Sequence, residues 1–172
     1  MKLEDDDFSL FGLPQQFAQP AAEVEQRWKQ LAARVHPDRF VTEGAAAQRM
    51  AMQWALRVNE AHQRLRDPLK RAAYLCELRG APIRAHDNTS MPSSFLITQM
   101  QWREALEEAT DTSSVQVLDH EVRQSEQQLH QQLQQQLDEL NDAPAAAQTV
   151  RALMFISRFR TELDRRMDAL EQ

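Results

Sequence analysis

Apolar side chains recur every three or four residues over most of the chain, which is the spacing of amphipathic helices. In the first half this spacing predicts helices over 21–35, 45–66 and 69–78. Pro37 ends the first of them, because the residue before a proline is pushed out of the α region. Gly80 ends the third helix as the C′ glycine that follows its last turn. We expect the two long helices to pack as an antiparallel hairpin. Their apolar stripes are Val24, Trp28, Leu31 and Val35, and Ala47, Met50, Trp54, Val58, Ala61 and Leu65.

The second half has its own helical pattern. Residues 80–93 contain two prolines and several turn formers, which predicts a linker. Helical spacing resumes over 94–109, 114–141 and 145–171 and predicts an antiparallel three-helix bundle, or a long hairpin capped by a third helix. The expected fold is all-α, with an N-terminal helical hairpin linked to a C-terminal three-helix bundle. The expected divisions are 1–79, 80–93 and 94–172.

The composition agrees with an all-helical protein. Ala, Gln, Leu, Glu and Arg dominate, only 3 Gly occur in 172 residues, and no run alternates as a strand would. No apolar stretch approaches the roughly 18 residues of a membrane span. The acidic start MKLEDDDF lacks the apolar segment of a signal peptide, and one cysteine cannot form an internal disulfide. We therefore expect a cytoplasmic protein without a membrane partner, with Cys76 as a small core residue.

Charge is divided unevenly between the two halves. The chain carries a formal net charge of −6, but residues 8–93 sum to +4 and residues 94–172 to −7. Halves of opposite sign suggest two modules with different partners. Phosphate contacts need clustered Lys and Arg, so the acidic half is a poor binder of nucleic acid. We expect no nucleic-acid partner.

The segment His36-Pro37-Asp38 lies between the two hairpin helices, at the exposed tip. His36 and Asp38 suggest acid–base work, and a small metal-dependent enzyme is one hypothesis. However, no nucleophile motif or Gly-rich phosphate loop is recognisable, and the five histidines form no close ligand pair. We therefore expect no catalysis, no cofactor and no metal site. Taken alone, the tripeptide is better explained as an ordinary turn at a helix end than as a binding loop.

The helix predicted over 94–109 has more apolar residues than its core face needs. At about 100° per residue, Phe95 and Trp102 fall on the core-facing stripe. Three sizeable apolar side chains fall well off that stripe beside a carboxylate, where a simple bundle helix is polar. They are Leu96, Ile97 and Met100, and the carboxylate is Glu104.

The last predicted helix shows a similar excess, since Met154 and Phe155 fall outside its main stripe. Phe155 lies close to the edge of that stripe. Such residues form either a recognition surface or a contact with the N-terminal module or the linker. The pattern alone weighs these two interpretations equally.

The context of the tripeptide resembles the J domain of DnaJ-like co-chaperones. The resemblance covers about residues 8–75 and includes Phe11-Gly12-Leu13, the helix ending RWKQLAARV, HPDRF, and VNEAHQRLRDPLKRAAYL. It implies docking on a DnaK-type chaperone ATPase and acceleration of its ATP hydrolysis. A rigid hairpin lowers the ordering cost of that docking, and Asp38 is an acceptor suited to an arginine. The expected chaperone-binding residues are His36, Pro37, Asp38, Arg27, Lys29, Arg34 and Arg39.

The whole chain resembles the HscB-type co-chaperones. The matching segments are SLFGLP, HPDRF, FLITQMQWREAL and VRALMF. This resemblance implies that the protein brings an iron–sulfur cluster scaffold of the IscU type to a specialised DnaK-like chaperone of the HscA type. The scaffold-binding surface of the family maps onto Leu96, Ile97, Met100, Gln101, Glu104 and Phe155. The chain departs from the family pattern at Gln101, where relatives carry an acidic residue, and at Gln30, where general J proteins carry a cation.

A second hypothesis keeps the J domain but gives the C-terminal half a different client or a dimerising role. The first hypothesis predicts a monomer with two protein partners, so the oligomeric state separates the two.

Overall fold

Seven α-helices and no strand make up the protein, for which a computed structural model describes all 172 residues. The helices are α1 (Asp7–Phe11), α2 (Ala21–Val35), α3 (Ala45–Arg66), α4 (Pro68–Leu78), α5 (Ser93–Glu108), α6 (Thr112–Gln134) and α7 (Ala143–Glu171). The chain divides into two compact units, Met1–Leu75 and Cys76–Gln172. The all-α prediction is confirmed, and α2 and α3 have the predicted bounds.

In the first unit, α2 and α3 pack as the predicted hairpin. Val24, Leu31 and Val35 of α2 are buried, as are Val58 and Leu65 of α3. The segment between the helices differs from the expected loop, because Pro37–Glu43 forms a short 3₁₀ helix. A proline at the first position suits such a turn, since its fixed φ is helical and its missing N–H would have no partner there.

The short helix α1 is held to α3 by a buried carboxylate. Asp7 is 0% exposed, and its carboxylate lies 2.6 Å from Nε of Arg64 and 2.8 Å from Nη1 of Arg57. The backbone N–H of Asp7 donates to the Tyr74 hydroxyl at 3.0 Å. The hydrogen bonds that Arg64 donates to the Asp7 carboxylate raise the pKa of its guanidinium. Nothing in the run of acidic residues at the N-terminus indicates that one of its carboxylates is a core group.

In the second unit, α6 and α7 form the long hairpin and α5 packs across one half of it. The shared core is formed by Phe95, Trp102 and Ala109 of α5, Val115, Leu118 and Val122 of α6, and Ala152, Phe155, Ile156, Phe159 and Leu163 of α7. Asp111 and Asp142 begin the two long helices by accepting from the backbone N–H groups of Ser114 and Ala145. Of the two predicted arrangements, the structure has the hairpin capped by a third helix.

Two local features of the second unit bear on the predictions. Cys76 is fully buried as expected, and burial raises the pKa of its thiol to about 11. The end of α6 differs from a plain helix, because Gln135–Glu139 forms a π-helical turn before the chain reverses. The boundaries predicted at 1–79, 80–93 and 94–172 remain a prediction, since the compact units divide between Leu75 and Cys76.

Candidate functional site

The His36-Pro37-Asp38 loop presents its carboxylate to solvent. His36 leaves α2 with φ −60° and ψ 129°, the extended conformation favoured before proline. Its Nδ1 accepts a hydrogen bond of 3.2 Å from the backbone N–H of Asp38 and so caps the 3₁₀ helix. The Asp38 side chain is 87% exposed, 3.7 Å from the same Nδ1. The imidazole therefore shapes the turn, while the carboxylate is available to a partner.

Arg27, an expected chaperone contact, is also a structural group. Its Nη1 donates to the Phe11 carbonyl at 3.2 Å, and its Nη2 pairs with Glu23 at 3.3 Å. Gly12 has φ +66°, and a Cβ added there would lie 2.8 Å from Nη1 of Arg27. Only glycine adopts this conformation readily and leaves room for the guanidinium. The Phe11-Gly12-Leu13 motif thus explains how α1 is seated against α2.

The other expected cations are not gathered on one surface. Arg34 is exposed on the same flank of α2 as Arg27. Arg39 donates from Nη1 to the Ala33 carbonyl at 3.2 Å, which satisfies a free carbonyl at the end of α2. Lys29 lies about 200° around the helix from Arg27 and neighbours Glu25 instead. The structure therefore places Arg27 and Arg34 on one flank of α2, Lys29 on the opposite flank and Arg39 against the end of the helix.

An apolar groove of about 350 Å³ lies between α2 and α3 beside the loop. It is lined by Val35, Phe40, Met50 and Trp54, with Arg34 at its rim. Phe40, the last residue of HPDRF, reaches this groove from the 3₁₀ helix. No role was predicted for Phe40 from the sequence, although its place in the HPDRF motif was a signal.

Helix α5 carries an exposed apolar face on the side away from the core. Leu96 is 44% exposed, Ile97 60% and Met100 71%. Gln101 and Glu104 are exposed as well. We name these five residues the α5 face. These side chains are exposed in the structure, as a recognition surface requires.

Phe155 is not part of that exposed surface, and the expectation that it lies outside the core is wrong. It is 4% exposed, with its ring 5.6 Å from Phe159 and 5.8 Å from Phe95 between centroids. The reason is that α7 packs against both α5 and α6, so its buried face is broader than one periodic stripe. The Arg103 guanidinium lies over the Phe155 ring, 5.3 Å from its centroid. Sequence reasoning missed Arg103, which follows Met100 by one helical turn.

The histidines do not assemble a metal site. No group of three His, Cys, Asp or Glu side chains is placed to hold a metal ion. His62 is buried, with its imidazole ring stacked on the indole ring of Trp28. No helix has the length and apolar character needed to cross a membrane.

Comparisons with known proteins agree with this architecture. A family model described as the HSCB C-terminal oligomerisation domain matches residues 91–164. The co-chaperone protein HscB homolog of Bordetella petrii is 48% identical over 160 residues, covering 92% of this chain and 94% of that protein. The homolog of Paraburkholderia phytofirmans is 45% identical over 172 residues, covering 98% of each.

Solved structures give the same result. Chaperone HscB from Vibrio cholerae is 34% identical with a TM-score of 0.80, covering 96% of this chain and 99% of that chain. Human co-chaperone protein HscB shares the fold at 24% identity, with a TM-score of 0.86, covering 95% of this chain and 83% of that chain. This chain therefore belongs to the HscB family of co-chaperones.

Proposed function

We propose that the protein is an adaptor co-chaperone of iron–sulfur cluster assembly. In this proposal the first unit docks on a DnaK-like chaperone of the HscA type and stimulates its ATPase. The second unit binds an IscU-type scaffold, whose cluster is the cargo passed to apo-proteins. The observation that carries the proposal is the α5 face, an apolar surface exposed on a helix whose other side is fully packed.

The loop is suited to the chaperone half of this role. The α2–α3 hairpin holds its backbone, so docking costs little ordering entropy. Asp38 offers an ionised acceptor that an arginine of the chaperone binds through two parallel hydrogen bonds. Arg34 and the exposed part of Arg27 meet an acidic chaperone surface and speed association. Lys29 takes a smaller part because it lies on the other flank.

The α5 face is suited to the scaffold half. Leu96, Ile97 and Met100 form an apolar centre, and Gln101 and Glu104 form a polar rim. This is the usual layout of a protein interface, in which a few central side chains carry most of the binding energy. Glu104 favours a partner with a basic residue beside its apolar contact. Phe155 contributes from below, by supporting α5 through its contact with Phe95.

The protein acts as an activator and carrier without chemistry of its own. It is proposed to be monomeric and cytoplasmic, to need no cofactor, and to contact neither nucleic acid nor membrane. Its proposed domains are a J domain over 1–79, a linker over 80–93 and a scaffold-binding domain over 94–172. A role in binding rather than in catalysis is supported by the contacts of His36 and Arg27, since both side chains hold the backbone of the docking surface through hydrogen bonds.

Calorimetric titration of the IscU-type scaffold from the same cell tests the proposal. Saturable binding is expected, and Leu96→Ala is expected to weaken it by about 30-fold, as for a typical interface hot spot. Leu140→Ala is the matched control, because Leu140 is 63% exposed in the same unit but lies outside α5. No binding at tens of micromolar, or equal loss from both variants, argues against the scaffold role.

A further inference from the structure

One arginine of α7 binds three backbone carbonyls of the segment that precedes α5. Arg151 is 6% exposed. Its Nε donates to the Ile83 carbonyl at 3.1 Å, its Nη1 to the Ser90 carbonyl at 3.1 Å, and its Nη2 to the Pro82 carbonyl at 3.4 Å. The buried Ile83 side chain anchors the same segment. Arg151 is the second residue of the VRALMF segment, and it is not part of the α5 face.

The chemistry of this contact explains why arginine stands at this position. Residues 80–93 form no helix over most of their length, so their carbonyls need partners from elsewhere. Guanidinium has five N–H donors in a fixed fork, and its three nitrogens here donate to the carbonyls of Pro82, Ile83 and Ser90, two neighbours and a residue seven positions further along the chain. A lysine ammonium at the same place has no fork to span both ends of the segment.

The contact leads directly to the binding surface. Ser90 lies two residues before Pro92, the N-cap residue of α5. The Pro92 carbonyl accepts from the backbone N–H groups of Phe95 and Leu96, at 3.0 and 3.2 Å. At the other end of α5, Nη2 of Arg166 donates to the Ala109 carbonyl at 2.8 Å. Two arginines of α7 therefore hold both ends of the helix that carries the α5 face.

We propose that Arg151 is a positioning residue of the scaffold-binding surface, an inference that rests on the proposed function. Arg151 is too deeply buried to form much of an interface itself. It acts by fixing the start of α5, so that Leu96, Ile97 and Met100 are ordered before the partner arrives. Without Arg151, binding must first order the first turn of α5. The apparent affinity is then the intrinsic affinity multiplied by the fraction of molecules in which that turn is already ordered.

The test compares Arg151→Lys with two control variants of α7. Arg160→Lys makes the same chemical change at an arginine of α7 whose ion-pair partner is Glu126 of α6. Thr149→Val removes a buried hydroxyl that donates to the Gln136 side chain. It is expected to lower the free energy of unfolding without removing a contact to the start of α5, so it controls for a general loss of stability. All variants are studied at a temperature where each is fully folded.

Two measurements are made on each variant: calorimetric affinity for the IscU-type scaffold, and hydrogen exchange of the backbone amides of residues 93–97 in the free protein. Arg151→Lys is expected to lose about tenfold in affinity and to speed exchange at those amides, while both controls keep the wild-type values. Wild-type affinity or unchanged exchange in Arg151→Lys overturns the inference alone. Failure of the wild-type protein to bind the scaffold overturns the proposed function and this inference together.

Discussion

The imidazole ring of His62 lies parallel to the indole ring of Trp28, with centroids 4.1 Å apart and planes 6° from parallel. His62 Nε2 lies 2.7 Å from Oε1 of Glu25, and Nε1 of Trp28 donates to Asn59 at 3.0 Å. Trp28 and Glu25 belong to α2, while His62 and Asn59 belong to α3. This polar and aromatic layer joins the two helices that hold the docking loop.

The layer predicts a pH dependence of stability below neutrality. The hydrogen bond from His62 lowers the pKa of Glu25 from its ordinary 4.5, and the positive charges of His62, Arg66 and Lys29 add to this. A carboxyl whose pKa is lower in the folded state stabilises above its unfolded pKa and loses that contribution as pH falls. Thermal unfolding of wild type and Glu25→Gln from pH 3 to 7 is expected to show a gap that closes below about pH 4.5. A gap that widens at low pH contradicts this assignment.

Asp7→Asn is expected to destabilise the first unit by about 3 kcal/mol, because it removes the charge that two arginines share at a buried site. Urea unfolding measures the change. Glu60→Gln is the matched control, since Glu60 is the exposed partner of the same Arg64 at 2.9 Å. The control is expected to cost no more than about 0.5 kcal/mol. Equal losses would mean that burial of Asp7 does not matter.

Asp38→Asn is expected to abolish stimulation of the HscA-type chaperone while leaving the melting temperature unchanged. The side chain is exposed, so the folded protein loses little, whereas the partner loses an ionised acceptor. A single-turnover ATPase measurement with purified chaperone checks this. Glu43→Gln changes another exposed carboxylate of the same 3₁₀ helix and should stimulate normally. Full stimulation by Asp38→Asn would remove the loop from the mechanism.

Phe155→Ala and Met100→Ala are expected to weaken scaffold binding for different reasons. Phe155 is packed among aromatic rings, so its loss should also cost about 3–5 kcal/mol of unfolding free energy. Met100 is exposed, so its truncation should lower affinity alone. Urea unfolding combined with calorimetry separates the two. Unchanged stability of Phe155→Ala would show that its ring is not part of the core.

Sedimentation velocity is expected to show a monomer at tens of micromolar, with no shift between wild type and Ile97→Glu. The rival hypothesis uses the same apolar α5 face for dimerisation, and the matched family model carries oligomerisation in its description. If α5 forms the dimer contact, wild type sediments faster and Ile97→Glu returns it to the monomer, since a charge there is costly to bury. That result would favour the dimerising role.

Much of the fold was predictable because its signals act over a few residues. The period of apolar positions predicted α2 and α3 with their observed bounds, and Pro37 predicted the end of α2. The α5 face was visible for the same reason, since Leu96 and Met100 lie one helical turn apart. The Pro37–Glu43 helix was missed because a short 3₁₀ turn has no apolar repeat to reveal it.

What the tertiary structure decided depends on contacts between residues far apart in the chain. Asp7 became a core group only because Arg57 and Arg64 of α3 lie against it, and Phe155 became buried because α5 and α6 both pack on α7. Arg151 was one cation among several until folding placed three linker carbonyls around its guanidinium. Local sequence fixes backbone conformation and the pattern of a helix face, whereas burial and hydrogen-bond partners depend on which distant segments meet that face.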